Sequence, residues 1–340
     1  MTEIHIAYNL LRAALTGEKP DAATMDASQW WSLFRLLQKN HVAALCYEAT
    51  ASTGAPREVL MPWLAEHEKA IGWHHYQYEV QQDITDTMAK HGIDTLVLKG
   101  TNTARHYPVA DEREFGDLDL YFYDRHDDAD RIAREVLKVE ISNDAHHHSK
   151  YNYRGVTVES HYDFLNVHYP PSNRHYEAML KEIAPSPTFE VLFLLRHMAC
   201  HFAASRNTLR DLVDWTLTCR ALQEQVDWDH VQSTIYNYGM APFVSALNGV
   251  ADNQLGYRPP LHMPEEADNI EAVKRLEHNI VYGDVADSNH DGLGRLTWKL
   301  HRWRSSGWKR SMVYSDPPLT LLLSSLTSHA EKPRSIMHKM

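Results

Sequence analysis

The sequence predicts an α/β (α+β) protein in which a small β-sheet core is flanked by N-terminal and C-terminal helical regions. Three observations predict it. Apolar residues recur at helical spacing before about residue 92 and again after 187, whereas strand-like runs and tight turns are confined to residues 93–163. Hydrophobic residues make up 43% of the chain and charged ones 23%, as in ordinary globular proteins. The 340 residues can bury a large core, which favours two domains or one enlarged domain. The expected organisation is a helical region over 1–92, an α/β core over 93–183 and a helical domain over 184–340.

In the N-terminal region Ile6, Leu10, Leu11 and Ala14 fall on one helical face. Asp26 with Gln29 three positions on makes a capping box ahead of Trp30, Trp31, Phe34 and Leu37. A loop at Gly54–Pro56 introduces a long helix to His91, stopped by Gly92. Its string of Trp73, His74, His75, Tyr76 and Tyr78 is expected to serve packing.

The α/β part opens with a strand over 93–98 ending in Lys99-Gly100-Thr101, followed by a short helix to about Tyr107. Glycine at that turn lets the backbone bend sharply and lets a ligand approach it. A helix starting at Thr101 would aim free N–H groups at an anion. A second strand is expected over 117–123, with Asp117 and Asp119 on one face and Leu118, Leu120 and Phe122 on the other. Two carboxylates side by side in a core strand repel each other unless a cation lies between them. Asp127 and Asp128 can cap a helix carrying Ile132, Ala133, Val136 and Leu137. Residues 151–163 form a hairpin turning at Arg154-Gly155, with Thr157, Glu159 and His161 on one face of its second arm and Val156, Val158 and Ser160 on the other. Glu159 thereby gains a route to the aspartate pair.

The proline-rich stretches at 169–172 and 184–187 bracket a linker-like region. Thr188 is then expected to cap an apolar helix to Phe202 that carries His197 and His201. Asn207 or Thr208 starts another, with Leu209, Leu212, Val213 and Leu217 inside and Arg210, Asp211 and Asp214 outside. Loops are expected near Gly256–Pro260 and Asp287–Gly292.

A phosphate cradle beside a carboxylate pair points to phosphoryl or nucleotidyl transfer. Lys99 would meet phosphate as a point charge, Gly100 through its N–H and Thr101 through its hydroxyl. Asp117, Asp119 and Glu159 would hold two Mg²⁺ ions, because hard cations want oxygen ligands, and Glu159 could take an acceptor's proton. Arg113 either reaches phosphate or pairs with Asp111 or Glu112.

The string from Leu98-Lys99-Gly100-Thr101 to Arg113, Phe115-Gly116-Asp117-Leu118-Asp119-Leu120 resembles the nucleotidyltransferase superfamily related to DNA polymerase beta. More narrowly it is similar to that superfamily's bacterial "uncharacterised nucleotidyltransferase" branch, tightest over residues 93–163. The resemblance implies a small mixed sheet carrying the metal carboxylates, with the first helices after Pro187 closing the cleft. It also implies that Arg210 and Asp214 reach nucleotide or acceptor, and that His161 orients Glu159 or the acceptor. The activity implied is Mg²⁺-dependent transfer of a nucleoside monophosphate from an NTP to a hydroxyl, releasing pyrophosphate.

Net charge is −11 with histidines neutral, which argues against a broad nucleic-acid surface and favours a small-molecule or protein acceptor. Three dispersed cysteines, a start without a basic-then-apolar leader, and no apolar run near the ~20 residues of a membrane span lead us to expect a cytoplasmic protein.

Two other classes stay open. One is a non-catalytic nucleotide-binding or partner-binding module on the same scaffold. The other is a zinc hydrolase using the histidines: His197 and His201 sit at the i, i+4 spacing of zinc sites, and His146-His147-His148 is a run. His197 and His201 could equally pack and hydrogen-bond, or line the cleft; the residues between them lack the glutamate a zinc hydrolase would use as base. The basic, tryptophan-rich stretch 295–310 could bind membranes or single strands, or dock its tryptophans onto the C-terminal bundle as an amphipathic helix; the negative chain favours docking.

Overall fold

The structure is a computed structural model that describes residues 2–21, 25–143, 145–263, 270–283, 301 and 303–331. The chain divides into two compact units. One comprises Met1–Val42, Glu48–Ala55 and Val191–Ser315, and the other Ala43–Tyr47, Pro56–Glu190 and Asp316–Met340. The architecture is mixed α/β, a small four-stranded mixed sheet with helices on either side in sequence.

The second unit carries the sheet. Helix α4 (Arg57–Lys90) leads in from Pro56, and the chain leaves it through Gly92 at φ +70°. Strands β1 (Leu96–Val97), β2 (Leu118–Tyr121), β3 (His148–Tyr153) and β4 (Val156–His161) lie in the order β1-β2-β4-β3. β2 is antiparallel to β1 and parallel to β4, and β3 closes the edge antiparallel to β4. The Arg154-Gly155 turn has φ +52° and +83°, the positive pair that a two-residue hairpin of this twist requires.

One sheet face is core. Leu118, Leu120, Val156 and Val158 meet Val80, Ile84 and Met88 of α4, and also Ala129 and Ile132 of α6 (His126–Ile132). That packing leaves Asp119, Lys150, Glu159 and His161 on the other face.

Several boundaries differ from expectation. β1 and β2 are shorter than 93–98 and 117–123, and Asp117 falls just before β2 rather than in it. The helix after Gly100 (α5) covers only Thr101–Ala104. Asp127 and Asp128 lie inside the first turn of α6 instead of capping it, and Arg125 precedes the helix. The linker-like region holds a helix, α7 (Asn173–Ile183), which buries Tyr176, Glu177 and Leu180. Ser186 rather than Thr188 caps α8 (Pro187–Ala204), its hydroxyl accepting from Phe189 N–H at 3.1 Å.

The other unit is helical. Its α2 (Ala27–Lys39) starts at the Asp26–Gln29 capping box, with both hydrogen bonds formed at 2.9 and 3.0 Å. Asn40 is a buried connector: its Nδ2 donates to Val281 O at 3.0 Å and its Oδ1 accepts from Leu209 N–H at 3.3 Å. α11 (Ala241–Leu255) and α12 (Ile270–Tyr282) approach at Gly249, where any Cβ would come within 2.7 Å of Val273. Of the basic, tryptophan-rich stretch, Arg295, Trp298, Lys299 and Arg302 lie outside the described residues, as does the loop expected at 287–292. In the helix Gly307–Val313, Lys309 and Arg310 are buried, with Lys309 Nζ donating to Ser205 O at 2.5 Å and Arg310 over the Trp303 ring at 4.0 Å. No helix among the described residues is long and apolar enough to cross a membrane.

Candidate active site

Register builds the site. The parallel ladder sets Asp119 of β2 opposite Glu159 of β4, and the hairpin sets Lys150 of β3 opposite Glu159 and His148 opposite His161. Because side chains two apart share a face, both rows emerge on the face away from the core. Leu98 N–H donates to Asp119 O at 3.0 Å, which brings the turn after β1 to the same row.

Asp119 is buried, and its Oδ1 is 3.3 Å from Lys99 Nζ and 3.2 Å from His161 Nε2. Glu159 lies 3.7 Å from His161 Nε2, 3.5 Å from His148 Nε2 and 3.3 Å from Lys150 Nζ. Lys150 also reaches Asp117 Oδ2 at 3.3 Å. The cation demanded by neighbouring carboxylates is therefore partly supplied by the chain itself.

Burial alone would raise the carboxyl of Asp119, but Lys99 and then His161 outweigh it and hold it well below the usual carboxylate range. Burial likewise opposes the ionised form of Glu159, yet His161 leads the effects that bring it down to about 2. His161 is the counterpart: burial would lower it, and hydrogen bonding to Asp119 and Glu159 pushes it up to about 9. Asp117 is shifted upward, first by burial and then by Glu159, with Lys150 opposing. Burial takes His148 down to about 4 and His147 well below the ordinary imidazole value.

The turn beside this row is built from backbone. Gly100 adopts φ +63°, ψ −117°, a conformation that essentially only glycine takes, with the Phe115 ring 3.4 Å from where a Cβ would stand. Arg113 is buried and donates from Nη1 to Gly100 O at 3.3 Å, a partner that neither sequence reading of Arg113 named. Thr101 donates its hydroxyl to Gln81 Oε1 at 2.6 Å, which ties the turn to α4. Asp111 accepts from His75 Nε2 at 2.6 Å, and the ring of His74 packs edge-on against Phe115 at 5.1 Å.

The structure thus brings Lys99, Gly100, Thr101, Arg113, Asp119, Glu159 and His161 together, with Asp117 joined through Lys150. Arg210, Asp214, His197 and His201 belong to the other unit. There, Asp214 is buried rather than outward-facing, because α9 (Leu209–Ala221) is buried at every position from Leu212 to Cys219. The rings of His197 and His201 lie 4.3 Å apart, tilted by 47°.

Lys150 went unrecognised as a site residue in the sequence, where His147 and His148 showed only as members of the His146-His147-His148 run. A signal existed: once the hairpin turns at Arg154-Gly155, counting back along both arms places Lys150 against Glu159 and His148 against His161. Among the described residues, two groups could hold a metal ion, Asp119–Glu159–His161 and His147–His148–His161, each with donor atoms within 4.8 Å of one another. The donors of the first, two carboxylates and an imidazole, fit a hard divalent cation, which takes oxygen ligands.

A small four-stranded mixed sheet flanked in sequence by helices is consistent with a nucleotidyltransferase-like core. Residues 26–256, more than half of the chain, match the family described as "Uncharacterised nucleotidyltransferase", and the chain belongs to that family. Comparison with curated proteins finds no match, and comparison with solved structures finds none.

Proposed function

We propose that the chain transfers a nucleoside monophosphate from an NTP to a hydroxyl of a small-molecule or protein acceptor, with Mg²⁺ and with release of pyrophosphate. The observation that carries this reading is the pairing of Asp119 with Glu159 across parallel strands, directly beside the Lys99-Gly100-Thr101 turn. Asp119 and Glu159, with Asp117 at the edge, would hold Mg²⁺. Bound there, Mg²⁺ would supply a lowered pKa for the acceptor hydroxyl and positive charge to offset the triphosphate.

The remaining roles fall to the chain. Lys99 exchanges part of its contact with Asp119 for a phosphate oxygen, and the turn offers backbone N–H groups to the same anion. The acceptor oxygen bonds to the α-phosphorus in line as the bond from the α-phosphorus to the bridging oxygen breaks, and pyrophosphate leaves with that electron pair. Glu159, oriented by His161, takes the acceptor's proton. Net charge of −11 favours a compact acceptor over a polynucleotide.

The test is incubation of the purified protein with each NTP and Mg²⁺ in the presence of a metabolite and protein extract, with pyrophosphate as the readout. Release by wild type that falls at least ~100-fold in Glu159→Gln is expected from loss of a proton acceptor and metal ligand. No release with any NTP, or equal release by the variant, contradicts the proposal.

A further inference from the structure

Beside the carboxylates lies a cluster of three histidines, of which nucleotidyl transfer uses only His161. His148 and His161 are cross-strand partners on the sheet face away from α4, with ring centroids 5.2 Å apart. His147 stands just before β3, with its ring 4.6 Å from His148 and 5.4 Å from His161. Its position is fixed from the backbone, because Tyr162 N–H and Asp163 N–H both donate to His147 O, at 3.1 and 3.3 Å. Each imidazole offers one nitrogen, and the three lie within 4.8 Å of one another.

A second observation concerns satisfaction. The Nδ1 atoms of His147 and His148 are buried and have no hydrogen-bond partner among the described residues. Buried polar atoms are nearly always paired, so two orphaned ring nitrogens in adjacent residues call for an occupant. An occupant would relieve the cost of leaving these atoms unpaired, about 1–3 kcal/mol for a buried polar atom.

We propose that His147, His148 and His161 form a nitrogen-rich site for a first-row transition-metal dication of the Zn²⁺ or Co²⁺ type, separate in chemistry from the oxygen site at Asp119 and Glu159. Three imidazoles suit such ions and are poor ligands for Mg²⁺, which takes oxygen. Zinc–nitrogen bonds of about 2.0–2.1 Å imply ligand nitrogens roughly 3.4 Å apart in a tetrahedron, so side-chain shifts of roughly an ångström would close the present spacing. Three protein ligands would leave the fourth position of such an ion open. His161 belongs to both groups and couples them. The inference does not rest on nucleotidyl transfer, since metal binding is read without nucleotide.

The experiment takes the full chain, stripped with chelator, and titrates it with Co²⁺ while recording visible absorption and calorimetry. One Co²⁺ per chain with an absorption band of nitrogen coordination is expected, weakened at least ~10-fold in His147→Ala and in His148→Ala and unchanged in His91→Ala. X-ray absorption on the Zn²⁺-loaded wild type needs no variant and should count three imidazoles at bonding distance. Absence of saturable Co²⁺ binding, equal affinity in the His147 and His148 variants, or a Zn²⁺ shell with fewer than three imidazoles overturns the proposal. Pyrophosphate release with Mg²⁺ alone can succeed or fail independently of all three outcomes.

Discussion

At the scale of single residues, Asp117 and Asp119 differ sharply despite standing two positions apart. Asp119 is buried against Lys99 and His161, whereas Asp117 is about half exposed and pairs with a half-exposed Lys150. Removing one partner of a buried ion pair leaves the others charged and desolvated, so Asp119→Asn is expected to cost about 3 kcal/mol in metal-free protein. Asp117→Asn should cost no more than about 1 kcal/mol, as surface pairs do. Thermal melts of both variants in chelator check this, and an unchanged melting temperature for Asp119→Asn contradicts the ion-pair account. The sequence showed both aspartates and the outward face of Glu159, because period-2 alternation is local. It could not show that Lys99 and His161 compensate Asp119, because those contacts depend on β1 meeting β2 antiparallel and on β4 meeting β2 across a parallel crossover, and no local signal sets either register.

At the scale of elements, the turn after β1 carries the demand on backbone geometry. Gly100→Ala should destabilise by about 1–3 kcal/mol and weaken nucleotide binding, since the conformation is closed to a Cβ and Phe115 bounds the space. Chemical denaturation and nucleotide titration of the variant measure the two effects, and a stable variant with intact binding would show that the turn is not strained.

Helix α7 gives a pH-dependent prediction. Glu177 accepts from Phe164 N–H at 3.0 Å and Leu165 N–H at 2.9 Å, and burial pushes its carboxyl up to about 7. The folded state then keeps a proton that the unfolded chain releases above about 4.5, so this group's contribution to stability falls as pH rises from 4.5 to about 7 and is level beyond. Urea midpoints at several pH values, compared between wild type and Glu177→Gln, should differ in slope over that window; parallel curves refute the assignment. α7 was hidden in the sequence because prolines at both ends imitate a linker, although Tyr176 and Leu180 stand at helical spacing within it. The Asp26 capping box, the Gly92 stop and the Arg154-Gly155 turn were legible, since each is specified by residues adjacent in the chain.

At the scale of the molecule, the chain is acidic, with a net charge of −11, yet its candidate site must receive a polyanion. Lys99 and Lys150 meet part of that requirement, and three carboxylates oppose it, so a triphosphate needs a further cation to enter. Calorimetry of NTP binding to the wild type, with and without Mg²⁺, tests this requirement most directly. The account predicts binding tighter by about tenfold or more with Mg²⁺, and loss of that difference in Glu159→Gln. Equal affinity with and without Mg²⁺ in the wild type would contradict it.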